Sequence, residues 1–519
     1  MNYKKKTLLL IGIATLLRCI AAGSIELGND EVYYRMYAQH LQWNYFDHPP
    51  MVGWLIRFTT ANLSLDNEFF IRLGAIASAA ITTWILFLSG KKLSNDYTGF
   101  LAAAIYTATI YGSIIAGTFI LPDSPQMVCW VAGLYLLIDI AKYTSINTLK
   151  KRKVLWFGAL VGIGMLCKIH TSFLWLGFLL YILLYNRQWL KQPVLYLSGI
   201  ITLLFFYPVI QWNIDNHFVT YFYHSNRVNV SEGGMNINSF VTFSAGQFFY
   251  YNPIIFVFIL MAIIAAFKNE LPLLSSQKRM LLLCSLPLII TATIISLFKN
   301  VLPHWTGPAY SGLILLTACY FAKQKDKTIT DKKIMPFPIL FANTLLAVII
   351  ITGIVLVNFL SGTLGKKDKQ LYGEGDFTLD MYGWKSLNPD FTKIIKADIK
   401  AGLMKADAVI ICNKWFPAAH TDFYVAMPLK KDLIAIGDTN DIHQYAWINT
   451  KRKTLQPSDD AYCIIPSNYY TDVQASYAAY FTTILPPQII EQKRNGIVCR
   501  YFYIWRLQHY ITKQNPLSQ

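Results

Sequence analysis

Charge is what this chain has least of. Only 14% of its 519 residues are Asp, Glu, Lys or Arg, where a soluble protein of this length carries about 25%. Acidic side chains are the scarcer sign, 29 against 46 basic ones. There is no Walker A loop, no G-x-S-x-G elbow, no HExxH and no dinucleotide fingerprint, so ATP-driven transport, serine hydrolysis and zinc proteolysis have no support. The CxxC pairs of zinc sites are missing too. Of the eight cysteines, Cys19, Cys129, Cys167, Cys284 and Cys319 fall in or beside apolar segments and read as small core residues. Cys412, Cys463 and Cys499 lie further along, and one disulfide among them is compatible with the sequence. Internal repeats and low-complexity tracts are absent.

What replaces charge is apolar length: 54% of the residues are hydrophobic. A helix crossing the hydrocarbon layer needs about 20 residues. On that criterion about eleven segments are candidates, near 7–23, 67–89, 97–117, 123–141, 154–168, 171–186, 194–212, 247–267, 280–298, 304–322 and 335–360. The fifth and sixth are short, as a tilted or re-entrant pair would be. The net charge of +17 is concentrated between these segments, at Lys4-Lys5-Lys6, Lys91-Lys92, Lys150-Lys151-Arg152-Lys153, Lys278-Arg279 and 323–333. That is the positive-inside pattern of cytoplasmic loops, not a nucleic-acid surface. The N-terminus resembles a signal peptide, with three lysines, an apolar run and Ala21-Ala22-Gly23. Arg18 interrupts the run, which favours a retained signal-anchor helix. Arg18 itself could snorkel outward or meet a phosphate.

Placing Lys4-Lys5-Lys6 in the cytoplasm and alternating puts every basic run inside. The remaining loops fall outside, and they hold the unusual residues. Asp30 and Glu31 follow the first segment, in a long loop, 24–66, that also carries Asp47-His48-Pro49-Pro50. Trp43, Tyr45, Phe46, Trp54 and Phe58 are interleaved there, a composition suited to interfacial helices. Leu121-Pro-Asp123-Ser-Pro opens the fourth segment, Lys168 and His170 separate the fifth from the sixth, and His217, His224 and Arg227 lie in the loop 211–247. His304 opens the tenth. After about residue 361 the composition turns polar. The stretches 408–412, 433–436 and 496–505 read as strands and 390–406 as a helix, together a small α/β domain. The expected organisation is a transmembrane catalytic domain over 1–360 and an outer α/β domain over 361–519.

Each candidate has a plain structural reading beside a chemical one. Asp30 and Glu31 beside a membrane mouth would be a general base or metal ligands, or simply the acidic first turn of the next helix. Asp47 and His48 suit a divalent cation such as zinc, magnesium or manganese, the one cofactor the residues suggest, or a stiff turn. Asp123 is a second carboxylate of the same face, or a helix start. Lys168 and Arg227 suit a lipid phosphate, or snorkelling and solvation. His224 suits a metal or stays solvated.

In order, Glu-Leu-Gly-Asn-Asp30-Glu31-Val-Tyr-Tyr, Tyr-Phe-Asp47-His48-Pro-Pro, Leu-Pro-Asp123-Ser-Pro, the stretch 162–168, Pro208-Val-Ile-Gln-Trp-Asn213 and Pro303-His-Trp-Thr-Gly-Pro308 resemble the PMT-like glycosyltransferases of the GT-C superfamily. That group includes protein O-mannosyltransferases and lipid A aminoarabinose transferases. His443-Gln-Tyr-Ala-Trp447 matches more loosely. The resemblance implies a polytopic α-helical membrane enzyme with a periplasmic α/β domain, in a bacterial inner membrane with its N-terminus in the cytoplasm. It implies a sugar donor carried on polyprenyl phosphate, a lipid or protein acceptor, and inversion by single displacement. The catalytic residues would be Asp30, Glu31 and Asp123. Lys168, Arg227 and His48 would hold the donor phosphate, and Asp47 and His224 a metal. His48 stands where the aminoarabinose branch has a lysine, which weakens the case for that branch's activity and its metal. A transporter or flippase for a lipid-linked sugar is the alternative from another class, and a lipid A or glycolipid transferase the alternative among enzymes.

Overall fold

The computed structural model describes residues 2–142, 145–230, 234–326 and 335–511. The basic run at 323–333 lies partly outside these residues, as do 231–233 of the loop 211–247 and 512–519 of the C-terminal domain. The helices, in chain order, are α1 Tyr3–Ser24, α2 Asn29–Gln39, α3 Met51–Thr59, α4 Glu68–Leu93, α5 Asp96–Thr107, α6 Asp123–Ala141, α7 Thr148–Cys167, α8 Phe173–Tyr185, α9 Pro193–Asp215, α10 Val219–Val228, α11 Ile237–Tyr250, α12 Pro253–Phe267, α13 Ser275–Ser296, α14 Tyr310–Asp326, α15 Phe337–Phe359, α16 Trp384–Lys400 and α17 Trp415–Thr421, before a few short turns. The protein is a polytopic α-helical membrane protein with a small C-terminal α/β domain.

All eleven expected segments are helical, but they differ in length. Among the described residues α1, α4, α6, α9, α13 and α15 are long and apolar enough to cross a membrane, and the pair α11 and α12, bent by 97°, makes a seventh if counted as one span. Length and composition alone thus support fewer spans than the expected eleven. The stretch 97–117 is broken, since α5 gives way to a π-helical turn at Tyr111–Ile115. α7 carries four basic residues at 150–153, near its start, α8 has 13 residues, and α14 follows a 3-10 turn at Pro303–Ala309.

The chain forms two compact units. The first comprises 1–22 and 41–351, the second 23–40 and 352–519. The expected first outer loop is therefore divided, with Asp30 and Glu31 in the second unit and Asp47 and His48 in the first. In the first unit the core runs through α4 to α9 and α12 to α14, around Trp130, Phe157, Phe178 and Trp189. Small residues let helices approach closely where no water drives them together. A Cβ on Gly158 of α7 would lie 2.3 Å from the Ser198 carbonyl of α9. Ser198 Oγ donates to Val154 O at 2.5 Å, and Thr202 Oγ1 to Gly158 O at 2.8 Å. Leu197, Ile200, Leu203 and Leu204 on α9 stay exposed, as a lipid-facing stripe requires. Arg18 neither snorkels nor faces open space. It is 1% exposed, and it donates to Ser113 Oγ at 3.1 Å and to the Gly112 and Ser113 carbonyls at 3.4 Å, capping the π-helical turn.

The second unit holds a five-stranded sheet in the order β2-β1-β3-β5-β4, with β1 Val409–Cys412, β2 Leu433–Ala435, β3 Ala461–Pro466, β4 Phe481–Arg494 and β5 Ile497–Tyr510. β1 is parallel to β2 and β3; β5 runs antiparallel to β3 and β4. Three of the strands were expected, and β3 and β4 were not. The expected helix at 390–406 begins earlier, as α16. Cys412, Cys463 and Cys499 are free thiols, like the other five, so the open disulfide is not formed.

Candidate functional site

In the first unit a polar cluster sits at one end of α6. Asp123, the first residue of that helix, is 1% exposed. Its Oδ2 accepts from Lys168 Nζ at 2.8 Å, and its Oδ1 accepts from the Tyr111 hydroxyl at 3.1 Å. Lys168 is the residue between α7 and the 3-10 turn Ile169–Ser172, where extended backbone turns its side chain back toward α6. Burial of both side chains, 5% and 2% exposed, makes this pair unlike the surface ion pairs of the chain. Tyr111 belongs to the π-helical turn, a form common at functional sites. Its ring lies against Gly307, where a Cβ would fall 1.9 Å from Cζ. Asp139, near the other end of α6, pairs with Lys92 and Lys153. At 1.5 Å per residue the two carboxylates lie about 24 Å apart along the helix, so the basic end and the Asp123 end of this unit are opposite.

The loop carrying Asp47 and His48 is fastened to α9 and α10. Trp212 Nε1 donates to Gln42 Oε1 at 3.0 Å, Asn44 Nδ2 to Thr220 Oγ1 at 3.0 Å, and Thr220 Oγ1 to Tyr45 O at 3.0 Å. His224 Nε2 is 2.7 Å from the Asp47 carbonyl oxygen. The rings of His48 and His224 are 6.1 Å apart. Arg227, one turn along α10, lays its guanidinium 5.2 Å from the Trp305 ring and 5.5 Å from the Tyr223 ring. His170 also meets Trp305, at 5.6 Å. Burial, reinforced by the neighbouring basic side chains of His224, Lys168, Arg227 and His170, holds the His48 imidazole well below its ordinary pKa. Burial lowers His224 as well, against the opposing bond to Asp47. Both imidazoles are therefore neutral near pH 7. The result is a pocket of cationic and neutral basic groups around one compensated carboxylate, which suits an anion.

Sequence reading expected Asp47, His48, Asp123, Lys168, His224 and Arg227 to share a site. Folding gathers them, together with His170 and the Pro303–Ala309 turn. His217 stays apart, exposed in the left-handed turn between α9 and α10 at φ 53°. Two details differ from expectation. Lys168 is paired with Asp123 instead of standing as a bare cation. The Asp47 group that meets His224 is its carbonyl, and among the described residues no set of three or more His, Cys, Asp or Glu side chains is placed to hold a metal ion. Tyr111 and Gly307 were not anticipated. Neither carries a charge or a metal-ligand spacing, and only the glycine in Trp-Thr-Gly-Pro hinted at a close approach.

In the second unit Asp30 and Glu31 occupy the first turn of α2, Asp30 exposed and Glu31 2% exposed. Glu31 Oε2 accepts from Gly28 N at 2.8 Å, so one of its oxygens holds the helix start. Asn29 Nδ2 donates to Asp380 Oδ2 at 3.1 Å, and His420 Nε2 lies 3.0 Å from Asn29 Oδ1. Gln444 N donates to the Tyr33 hydroxyl at 3.0 Å, which gives the 443–447 stretch a contact with α2. His420, Asp380 and Tyr424 carry no local motif and could not have been read from the sequence.

Residues 47–212 match the family described as dolichyl-phosphate-mannose-protein mannosyltransferase. That segment contains Asp47, His48, Asp123 and Lys168. The lipid A galacturonosyltransferase RgtD of Rhizobium johnstonii is 23% identical over 299 residues, which is 57% of this chain and 60% of that protein. The match thus spans less than two thirds of this relative's length. The fold is that of ArnT from Cupriavidus metallidurans. Its crystal structure bound to undecaprenyl phosphate superposes with a TM-score of 0.61 at 14% identity, covering 96% of this chain and 97% of that one. The apo form gives 0.62 at 13% identity, over 96% and 98%. Residues 47–212 are thus similar to the dolichyl-phosphate-mannose-protein mannosyltransferase family, and the chain shares its fold with ArnT.

Proposed function

We propose that this protein moves a sugar from polyprenyl phosphate to an acceptor hydroxyl at the outer face of a bacterial inner membrane. The observation that carries the reading is the clustering of His48, His170 and Arg227 around Lys168, itself paired with the buried Asp123, at one end of the helical unit. A lipid phosphate entering from the bilayer is an anion such a cluster would hold. The similarity to ArnT, a structure bound to undecaprenyl phosphate, supports a donor of that class.

The acceptor oxygen attacks the anomeric carbon as the bond from that carbon to the phosphate oxygen breaks. The acceptor proton passes to the Asp30 carboxylate, a role carried over from the family resemblance. The departing phosphate keeps the bonding electrons, and Lys168, Arg227 and His48 stabilise its charge. One displacement inverts the anomeric centre. Asp123 aims Lys168, and Tyr111 fixes Asp123. A cation on Asp47 and His224 would have to draw His224 Nε2 away from the Asp47 carbonyl, and no step here uses one.

The acceptor we favour is a lipid of the lipid A class, since that is the acceptor named for the relative from Rhizobium johnstonii. The test supplies purified protein with a panel of polyprenyl-phosphate sugars and with lipid and peptide acceptors. Transfer to lipid, reduced about 100-fold or more by Asp30→Asn, is the expected result. Equal activity in the two proteins would remove Asp30 from the chemistry. Transfer to peptide alone would overturn the lipid acceptor. Bound donor without turnover would point to transport.

A further inference from the structure

The second unit contains more than a sheet appended to a membrane enzyme: it builds the seat of the acidic pair. The residues from Glu26 to Tyr33 are tied at successive points to 380–385, 420–424 and 443–444. The Glu26 carboxylate accepts from Trp384 N at 2.7 Å and Lys385 N at 3.2 Å. Leu27 N donates to the Tyr424 hydroxyl at 2.9 Å. The helix α2 then starts at Asn29, whose side-chain amide is gripped on both ends by Asp380 and His420.

The two gripping residues are themselves fixed. Asp380 Oδ1 accepts from the Tyr469 hydroxyl at 2.9 Å. The turn before Tyr382 is held by Arg500, which donates to Leu379 O at 3.1 Å and Tyr382 O at 2.7 Å. His420 is fully buried and stacks on Trp384, with ring centroids 4.4 Å apart and planes 14° apart. Its position leaves it one polar task on Nε2, to donate to the Asn29 oxygen. A buried, stacked histidine holding an amide adjacent to an exposed carboxylate is a costly arrangement if α2 needed only to be a helix; the capping bond from Gly28 N to Glu31 already serves that end.

We propose that His420 and Asp380 are positioning residues for the acidic pair: by clamping the two ends of the Asn29 amide they fix the first turn of α2, and with it the direction in which Asp30 points. This rests on the reading of Asp30 as the base. It gives the second unit a part in positioning the proposed base. A misplacement of about 1 Å in a catalytic group can cost about 100-fold in rate.

The test uses the full-length protein in lipid nanodiscs with Asn29→Ala, His420→Ala and His420→Gln. Gln retains an N–H donor at a comparable reach. Two quantities are measured, steady-state transfer and amide hydrogen exchange over 26–33. The clamp predicts that Asn29→Ala and His420→Ala lower kcat about tenfold or more, with KM for donor and acceptor within about threefold. Exchange at 28–33 should quicken, and His420→Gln should restore most of both. A KM effect with kcat unchanged, or exchange at 28–33 equal to wild type in Asn29→Ala, would overturn it. Should His420→Ala fail to fold, Asn29→Ala, at a half-buried position, decides alone. Should the wild type transfer no sugar, the functional reading falls, while the exchange measurement still decides whether the clamp exists.

Discussion

The pair of Asp123 and Lys168 sets the energetics of the helical unit's site. Neither charge is solvated, so each depends on the other. Replacing Asp123 with Leu leaves a buried ammonium without its carboxylate and should lower stability by about 3–5 kcal/mol. The double variant Asp123→Leu with Lys168→Met should recover most of that loss, because no uncompensated charge remains. Denaturation of the three proteins in one detergent measures both outcomes, and equal stability of the single and double variants would contradict the coupling. His48 makes the second residue-scale prediction. Burial and the neighbouring positive charges hold it neutral in the free protein. A bound phosphate diester brings negative charge and raises its pKa, so the complex binds more protons than the free protein. Affinity for the lipid should therefore strengthen as pH falls through the pKa of the complex, and weaken as it rises. His48→Gln should flatten that dependence between about pH 5 and 8. A phosphodiester does not titrate in that window, so lipid binding isotherms at several pH values isolate the histidine.

At the scale of elements, the site depends on places where helices stop being regular. Tyr111, in the π-helical turn Tyr111–Ile115, meets Asp123, and Arg18 donates to the Gly112 and Ser113 carbonyls of that turn. The Pro303–Ala309 turn contributes Trp305 to Arg227 and Gly307 to the Tyr111 ring. Gly307→Ala puts a methyl into that ring and must push it aside. It should reduce transfer more than Tyr111→Phe does, although it removes no polar atom. Tyr111→Phe loses one hydrogen bond, a matter of about 1 kcal/mol. Comparing the kcat of the two variants checks this, and the reverse order would show that Tyr111 does not act through its placement. Interruptions like these are hard to read in a sequence. The run 97–117 looks like one apolar helix because composition registers hydrophobicity and not the register of backbone hydrogen bonds. β4 was obscured for a related reason. Pro486 and Pro487 lie inside it and argue against a strand, yet they fall at the register shift between Leu485 and Gln488. The better clue was Asn495-Gly496, the two-residue turn joining β4 to β5, with φ of 49° and 79°.

For the whole molecule, the reading requires a membrane with two chemically different sides. The ion pairs of Lys92, Asp139 and Lys153 mark one end of the helical unit, and α10 with His224 and Arg227 marks the other. A cysteine introduced at Arg152 should be protected from a membrane-impermeant maleimide in intact cells, while one at Asn226 should react. Both positions are exposed in the fold, so a difference reports sidedness and not burial. Equal labelling would contradict the topology.

Sequence alone determined what depends on composition and on order along the chain. The scarcity of charge, 14% of residues, together with apolar segments of membrane length, argues for a membrane protein. The spacing of lysine runs marks alternate loops, and the ordered motifs from Asp30 to Pro308 carry the family resemblance. Tertiary structure decided which of these residues meet. It paired Lys168 with Asp123 across 45 positions of sequence and His224 with the Asp47 carbonyl across 177. It also seated the Asp30 turn against His420 and Asp380, residues that no local pattern distinguishes. Such pairings follow from how helices and strands pack, and a side chain buried without a partner must find one wherever the fold brings it.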